Sequence, residues 1–244
     1  MKLKKSLGQH FLSSPSILEF EATLANPKGK DVLEIGPGDG RLTQFLLKKS
    51  PKSLTAVEMD PVWASHLEER FAGTPNFKVI EGDFLELESS DAQLIVGNIP
   101  YYISSPILFK IAKMKAKTAI LIVQLEFAKR MAAEPKSSNY GRLSVTSQLL
   151  FEVKLIKKIK KGSFNPPPRV DSALILLRRK DFEMEPKLEE FIRAIFSHKN
   201  QNIKNALSHA GIGVPEELPK KRARELSKEE ILEIYNSIKV SLPG

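Results

Sequence analysis

Apolar residues recur along this chain in two alternating modes. Short apolar runs bounded by charges or glycine read as buried strands, and stretches with apolar positions three and four apart read as helices. The runs are Asp31–Ile35 (DVLEI), Ser53–Met59 (SLTAVEM), Phe77–Asp83 (FKVIEGD), Ala92–Asn98 (AQLIVGN) and Thr118–Gln124 (TAILIVQ). Helical patterns lie between and after them at Arg41–Lys49, Pro61–Phe71, Pro106–Lys113 and Leu125–Ala133. The second of these opens on proline, as helices commonly do. Strand–helix alternation of this kind predicts an α/β fold with a mostly parallel, doubly wound sheet. The pattern changes at Phe151. Phe151–Lys161 and Val170–Arg179 are both strand-like, with a proline-rich loop and no helix between them, which predicts an antiparallel hairpin at the sheet edge. After Lys180 the spacing is helical throughout, in Pro186–His198, Gln201–Ala210 and Ser227–Ile238. The expected organisation is one α/β domain over residues 1–180 and a small all-helical domain over residues 181–244.

Composition narrows the chemistry. With 41% hydrophobic residues among 244, the chain can bury a core, and no window approaches the ~20 apolar residues of a membrane span. The start, MKLKKSLGQHFLSS, is basic but has no apolar stretch of signal-peptide length, so a cytoplasmic location is expected. Cysteine is absent, which excludes disulfides and thiolate chemistry. The four histidines (His10, His66, His198, His209) are scattered, and no metal site is expected. The net charge of +9 is concentrated: residues 151–180 hold nine Lys or Arg against Glu152 and Asp171. Lys2–Lys5 and Lys110–Lys117 are smaller acid-free basic stretches. Such patches point to a polyanionic partner, with RNA, DNA and an anionic membrane all open on charge alone.

The loop after the first strand reads EIGPGDG, Glu34 to Gly40. Gly36 and Gly38 let backbone turn tightly and approach a ligand. Glu58 ends the second strand, where a carboxylate accepts ribose hydroxyls, with Met59 next to it. A glycine loop alone is a weak signal, compatible with a dinucleotide site or with a bare turn. Three features favour a nucleoside that carries an amino acid instead of a pyrophosphate. The glycines run Gly-x-Gly-x-Gly, Glu34 stands where a ligand amine would lie, and Asp83 with Phe84 offers an acceptor and a ring to an adenine. S-adenosylmethionine has that chemistry.

Asn98-Ile99-Pro100-Tyr101 ends the fourth strand, at the edge where open α/β sheets bind ligands. Beside a methyl donor this tetrapeptide acquires a meaning. The exocyclic nitrogen of adenine is a poor nucleophile, because its lone pair is delocalised into the ring. Acceptors on its two protons favour a tetrahedral nitrogen and free the lone pair. The Asn98 side-chain oxygen and the Pro100 carbonyl are the candidate acceptors, proline holding φ near −65°. Tyr101 is a candidate to stack on a base turned out of its helix or loop.

With these motifs in order, the chain resembles the rRNA adenine N6,N6-dimethyltransferase family, in particular the small-subunit enzymes. KKSLGQHFL, VLEIGPGDGRLT, VEMD, EGDFLE, GNIPYYISSPIL, VQLEFAKRM, YGRLSV and FNPPPRVDSALI carry the resemblance along almost the whole length. It implies a Rossmann-like class I methyltransferase fold, with a seven-stranded sheet and an appended helical domain. It implies S-adenosylmethionine as donor, held by Gln9, His10, Leu12, Gly36, Glu58, Asp83 and Asn98, with Phe11 completing a segment that folds over it. Phe164 would lie near the target base and pair with Tyr101. The implied substrate is two adjacent adenines in small-subunit rRNA of an immature 30S-type particle, and a monomeric enzyme is expected. Lys157, Lys158, Lys160, Lys161 and Arg169, with the Lys110–Lys117 stretch, are expected to flank the pocket and neutralise phosphates. Two alternatives stay open: a large-subunit rRNA methyltransferase of the antibiotic-resistance type, and an RNA-binding assembly factor without catalysis.

Overall fold

The computed structural model describes residues 10–100, 103–214 and 217–241. The chain begins with β1 (Phe11–Leu12) and α1 (Pro15–Ala25). Then follow β2 (Asp31–Ile35), α2 (Arg41–Leu47), β3 (Ser53–Glu58), α3 (Pro61–Arg70), β4 (Phe77–Glu81), β5 (Leu94–Asn98), α4 (Ser104–Lys113) and β6 (Thr118–Gln124). Two helices come next, α5 (Leu125–Met131) and α6 (Arg142–Leu150), before β7 (Phe151–Ile159), β8 (Phe164–Asn165) and β9 (Ser172–Arg179). Helices α7 (Pro186–Ser197), α8 (Ile203–His209) and α9 (Lys228–Ser241) end it.

The seven-stranded sheet has the order β4-β3-β2-β5-β6-β9-β7. Strands β4 to β6 are mutually parallel, and β9 lies antiparallel to β6 from Thr118↔Arg178 to Gln124↔Ser172. The expected antiparallel edge is present, with β7 outermost. Parallel strands are covered on both faces and so read as continuous apolar runs. Thus Val32 packs with Leu94, Val96, Ile120 and Ile122 against α1 and α2. The chain winds outward from β2 to β4, then returns to start β5 beside β2. That reversal opens a crevice at the carboxyl ends of β2 and β5.

Two pieces escape the sequence pattern. Helix α1 has proline at its start and buries Ile17, Leu18, Ala22 and Ala25, but a glutamate, Glu21, interrupts the apolar face. The two-residue β1 pairs antiparallel with β8, Leu12 opposite Phe164, a contact only the folded chain creates.

The described residues form two compact units, one from 1–128 with 154–179 and the other from 129–153 with 180–244. Residues 129–153 therefore group with the C-terminal helices, although the sequence pattern assigns only 181–244 to that domain. The reason is a shared apolar cluster, in which Tyr140, Val145 and Leu149 pack with Leu188, Phe191, Ile192 and Ile195. The Tyr140 hydroxyl donates to the Leu226 carbonyl at 2.8 Å. No helix among the described residues is long and apolar enough to cross a membrane.

Candidate active site

A cleft opens where the reversal predicts one. Its walls are the glycine loop (Gly36, Gly38), the tip of β3 (Glu58, Met59), the segment after β4 (Gly82, Asp83, Phe84), the tip of β5 (Asn98, Ile99, Pro100) and α4 with its approach (Ile103, Ile107). His10 and Phe11 close one side.

The glycine loop is shaped by left-handed backbone. Gly36 has φ +61° and Gly38 φ +56°, values that side-chain-bearing residues rarely adopt. Gly38 has a second reason to be glycine: a Cβ there would lie 2.2 Å from the Phe11 ring. Phe11 in turn packs edge-on against Trp63, ring centroids 5.2 Å apart. The N-terminal motif is thus seated directly on the turn.

Glu58 is 6% exposed, and each carboxylate oxygen accepts one backbone N–H: Gly38 at 3.0 Å and Asp60 at 2.9 Å. Burial raises its pKa, opposed by those two hydrogen bonds. Asp83 accepts from the Leu85 N–H at 2.9 Å and begins a short 3-10 turn, which orients its carboxylate at the cleft wall. Phe84 is buried beside it, and Met59 is exposed at the rim.

Asn98 is oriented from far away in sequence. Its side-chain NH2 donates to the His10 carbonyl at 2.9 Å. With the donor end of the amide so used, the acceptor, Oδ1, is the end left for a ligand N–H. The His10 ring Nδ1 lies 2.9 Å from the Pro166 carbonyl; because that partner only accepts, Nδ1 carries the proton. One residue therefore ties the start of the chain to both the β5 tip and the proline-rich loop.

Several expected roles are revised by this geometry. The Pro100 carbonyl accepts from the Ile103 N–H at 3.2 Å and from the Ser104 hydroxyl at 3.4 Å. It serves the first turn of α4, whose N–H groups lack intrahelical partners, while Pro100 itself lines the cleft. Phe164 is 3% exposed and belongs to the core with Leu12 and Ile17; it does not line the cleft. It anchors the β1–β8 pair instead of offering a ring to a base. Leu12 likewise points into that core. Glu34 does not line the main cleft but faces α1, 1% exposed, with its Oε2 accepting from the Thr43 hydroxyl at 2.7 Å. Gln9 and Tyr101 lie outside the described residues.

The basic residues separate into two groups. Lys157, Lys158, Lys160, Lys161 and Arg169 are exposed at the end of β7 and in the loop after it. That loop carries Pro166, whose carbonyl meets His10 at the cleft wall. Lys158 is neutralised by Asp171 at 2.8 Å, and Lys157 rests over the Phe20 ring. The Lys110–Lys117 stretch corrects the expectation of a second flank. It lies at the end of α4 and the start of β6, at the edge opposite the strand tips that line the cleft. The reason is topological: α4 starts at the cleft and runs back across the sheet.

Sequence reading misses Trp63, Ile103 and Ile107. The last two are four apart on successive turns, a spacing that is there to be read.

The cleft suits a nucleoside with a cationic amino-acid end. Carboxylates of Glu58 and Asp83 stand at its wall, and a side chain at Gly36 would enter open space, since nothing lies within 4 Å. The comparisons agree. The family model described as ribosomal RNA adenine dimethylase matches residues 1–240. A "Probable ribosomal RNA small subunit methyltransferase A" of Methanopyrus kandleri is 38% identical, covering 98% of this chain and 93% of the relative. The protein of the same name from Thermococcus gammatolerans is also 38% identical, covering 96% and 88%. Among solved structures, a dimethyladenosine transferase from Plasmodium falciparum superposes with a TM-score of 0.81 at 30% identity, over 94% of this chain and 98% of that one. The 23S rRNA methyltransferase ErmE superposes at 0.71, also at 30% identity, over 94% and 99%. A match that runs through nearly every residue, in sequence and in fold alike, means that this chain belongs to the ribosomal RNA adenine dimethylases, a family of S-adenosylmethionine-dependent methyltransferases.

Proposed function

We propose that this enzyme methylates the N6 of two adjacent adenines in a loop of small-subunit rRNA, giving N6,N6-dimethyladenosines during maturation of a 30S-type subunit. It acts as a monomer in the cytoplasm. Residues 1–128 with 154–179 carry the chemistry, and residues 129–153 with 180–244 form a helical appendage. Relatives 38% identical over nearly the whole chain carry small-subunit names, which supports that substrate over the large-subunit one.

S-adenosylmethionine, when bound, supplies an electrophilic methyl group. Glu58 accepts the ribose hydroxyls; its own carboxylate is already aligned by two N–H groups. Asp83 would accept from the adenine amine of the donor, with Phe84 and Met59 lining the same cleft. Gly36 allows close backbone approach. His10 and Phe11 roof the site, Gln9 completing that motif. On the substrate side, Asn98 Oδ1 accepts a hydrogen bond from the target amine and draws the nitrogen towards tetrahedral geometry. Pro100 stiffens the strand tip, and Tyr101 stacks on the extruded base. Once alkylated, the nitrogen releases its proton to water without a strong base. Lys157, Lys160, Lys161 and Arg169 neutralise RNA phosphates at the rim, and Lys158 adds less because Asp171 pairs it.

The observation that carries this reading is the Asn98 amide, held by the His10 carbonyl with its acceptor end available. Incubation with immature small subunits and labelled donor, followed by mass spectrometry of rRNA nucleosides, should yield N6,N6-dimethyladenosine. Asn98→Ala should lower that rate on the order of a hundredfold, the typical effect of removing one preorganised hydrogen-bonding group. Product formed only on large subunits would favour an activity like that named for ErmE. Donor binding without product on either subunit would leave an assembly factor.

A further inference from the structure

Behind the glycine loop lies a second, smaller cleft. Among the residues lining it are Glu21, Glu34, Gly36, Arg41 and Asn98. Gly36, Asn98 and Phe11 line the main cleft as well, so the two spaces meet across those three residues.

Its chemistry is unusual for a protein interior. Glu21 stands in the apolar face of α1, fully buried, and neither carboxylate oxygen has a hydrogen-bond partner among the described residues. Glu34, reaching from β2, leaves Oε1 without a partner too. Two adjoining buried carboxyls with three open acceptor oxygens are costly unless a cation or donor joins them. Burial pushes both up to about 8, and repulsion from Glu34 adds to the rise at Glu21. The basic group at hand does not relieve them, since Arg41 pairs with Asp39, Nε to Oδ2 2.8 Å. An anion would be repelled, and an apolar group would leave the oxygens unmet. A primary ammonium has three N–H donors and a positive charge, the complement of this surface.

We propose that Glu21 is a positioning residue for the methyl donor: with Glu34 it forms an acidic receptor for the ammonium at the donor's amino-acid end, reached past Gly36 and Asn98. This rests on the reading of the main cleft as the S-adenosylmethionine site and adds to it a residue and a selectivity. The receptor discriminates full donors and products from truncated nucleosides that lack the amino acid.

Titration calorimetry with two ligands tests it. S-adenosylhomocysteine carries the ammonium, and 5′-methylthioadenosine shares the adenosine and thioether but has no amino acid. Glu21→Gln keeps the shape and removes the carboxyl that can ionise against a bound ammonium. It should weaken S-adenosylhomocysteine about tenfold, the loss of one charge-assisted hydrogen bond, and leave 5′-methylthioadenosine within about twofold of the parent. Unchanged affinity for S-adenosylhomocysteine would overturn the proposal. So would an equal loss for both ligands, which a merely structural role produces. A measurement on the parent alone covers the case in which the variant fails to fold: S-adenosylhomocysteine acetylated on its amino group should bind at least about tenfold more weakly than the free amine, and equal binding overturns the proposal. If the parent binds neither ligand, the donor-site reading itself fails, which is a different result.

Discussion

At the scale of single residues, the site is built from side chains that are themselves held. Asn98 is oriented by the His10 carbonyl, Glu58 by the N–H groups of Gly38 and Asp60, and Asp83 by that of Leu85. Gly38 is where local conformation and tertiary contact meet. Alanine there carries a left-handed penalty of about 1–2 kcal/mol, and its methyl must also displace the Phe11 ring. Gly38→Ala should therefore lower the unfolding temperature by several degrees and weaken donor binding, read by thermal unfolding and calorimetry on the same protein. Wild-type affinity would mean that Phe11 moves aside freely and does not shape the cleft. The glycine-rich spacing was legible in the sequence; the ring above Gly38 was not, because nothing local connects Phe11 to a turn 27 residues away.

At the scale of elements, strand direction decides which charges face the RNA. The end of β7 and the loop to β9 adjoin the cleft through Pro166 and His10, whereas the lysines at the end of α4 and before β6 lie at the opposite ends of the strands. Both stretches look alike as sequence: lysine-rich and acid-poor. Lys160→Glu with Lys161→Glu should weaken binding to small-subunit rRNA and reduce the slope of log affinity against log salt by about 1–2, near 0.7–0.9 for each phosphate no longer neutralised. Lys113→Glu with Lys117→Glu should change neither by a comparable amount. Filter binding across a salt series separates them, and equal effects would show that charge alone, without position, sets the affinity. Helices show the same division. Regularly patterned α3 and α7 were readable, while α1 was hidden by the carboxylate at Glu21 in its buried face.

At the scale of the whole molecule, the buried acids tie stability to pH. Glu21 and Glu34 titrate near 8 in the folded chain against an ordinary 4.5. Glu58 and Asp39 add repulsion on Glu34, and the Thr43 hydroxyl partly offsets it. Below about pH 4.5 both groups are protonated whether the chain is folded or unfolded, and they contribute no pH dependence. Between about 4.5 and about 8 the unfolded chain has released those protons and the folded chain still holds them, so stability falls as pH rises. Thermal unfolding should therefore show a lower midpoint at pH 8 than at pH 5.5, and Glu21→Gln should flatten that dependence. A parent whose midpoint is level across this range would place the two carboxyls in a wetter environment than their burial indicates.

The sequence by itself determined the five parallel strands and the antiparallel edge, and it marked the glycine loop, Glu58, Asp83 and Asn98 as one site. These follow from side-chain periodicity, backbone freedom at glycine, and the rule that ligands gather at the carboxyl ends of strands; all three act within a few residues. Tertiary structure alone decided that Phe164 is a core anchor, that the Pro100 carbonyl serves a helix start, that residues 129–153 join the C-terminal helices and that Glu21 meets Glu34. Each depends on where a side chain or carbonyl points once distant segments pair, as β1 does with β8 across some 150 residues. Local chemistry names the groups, and long-range packing chooses their partners.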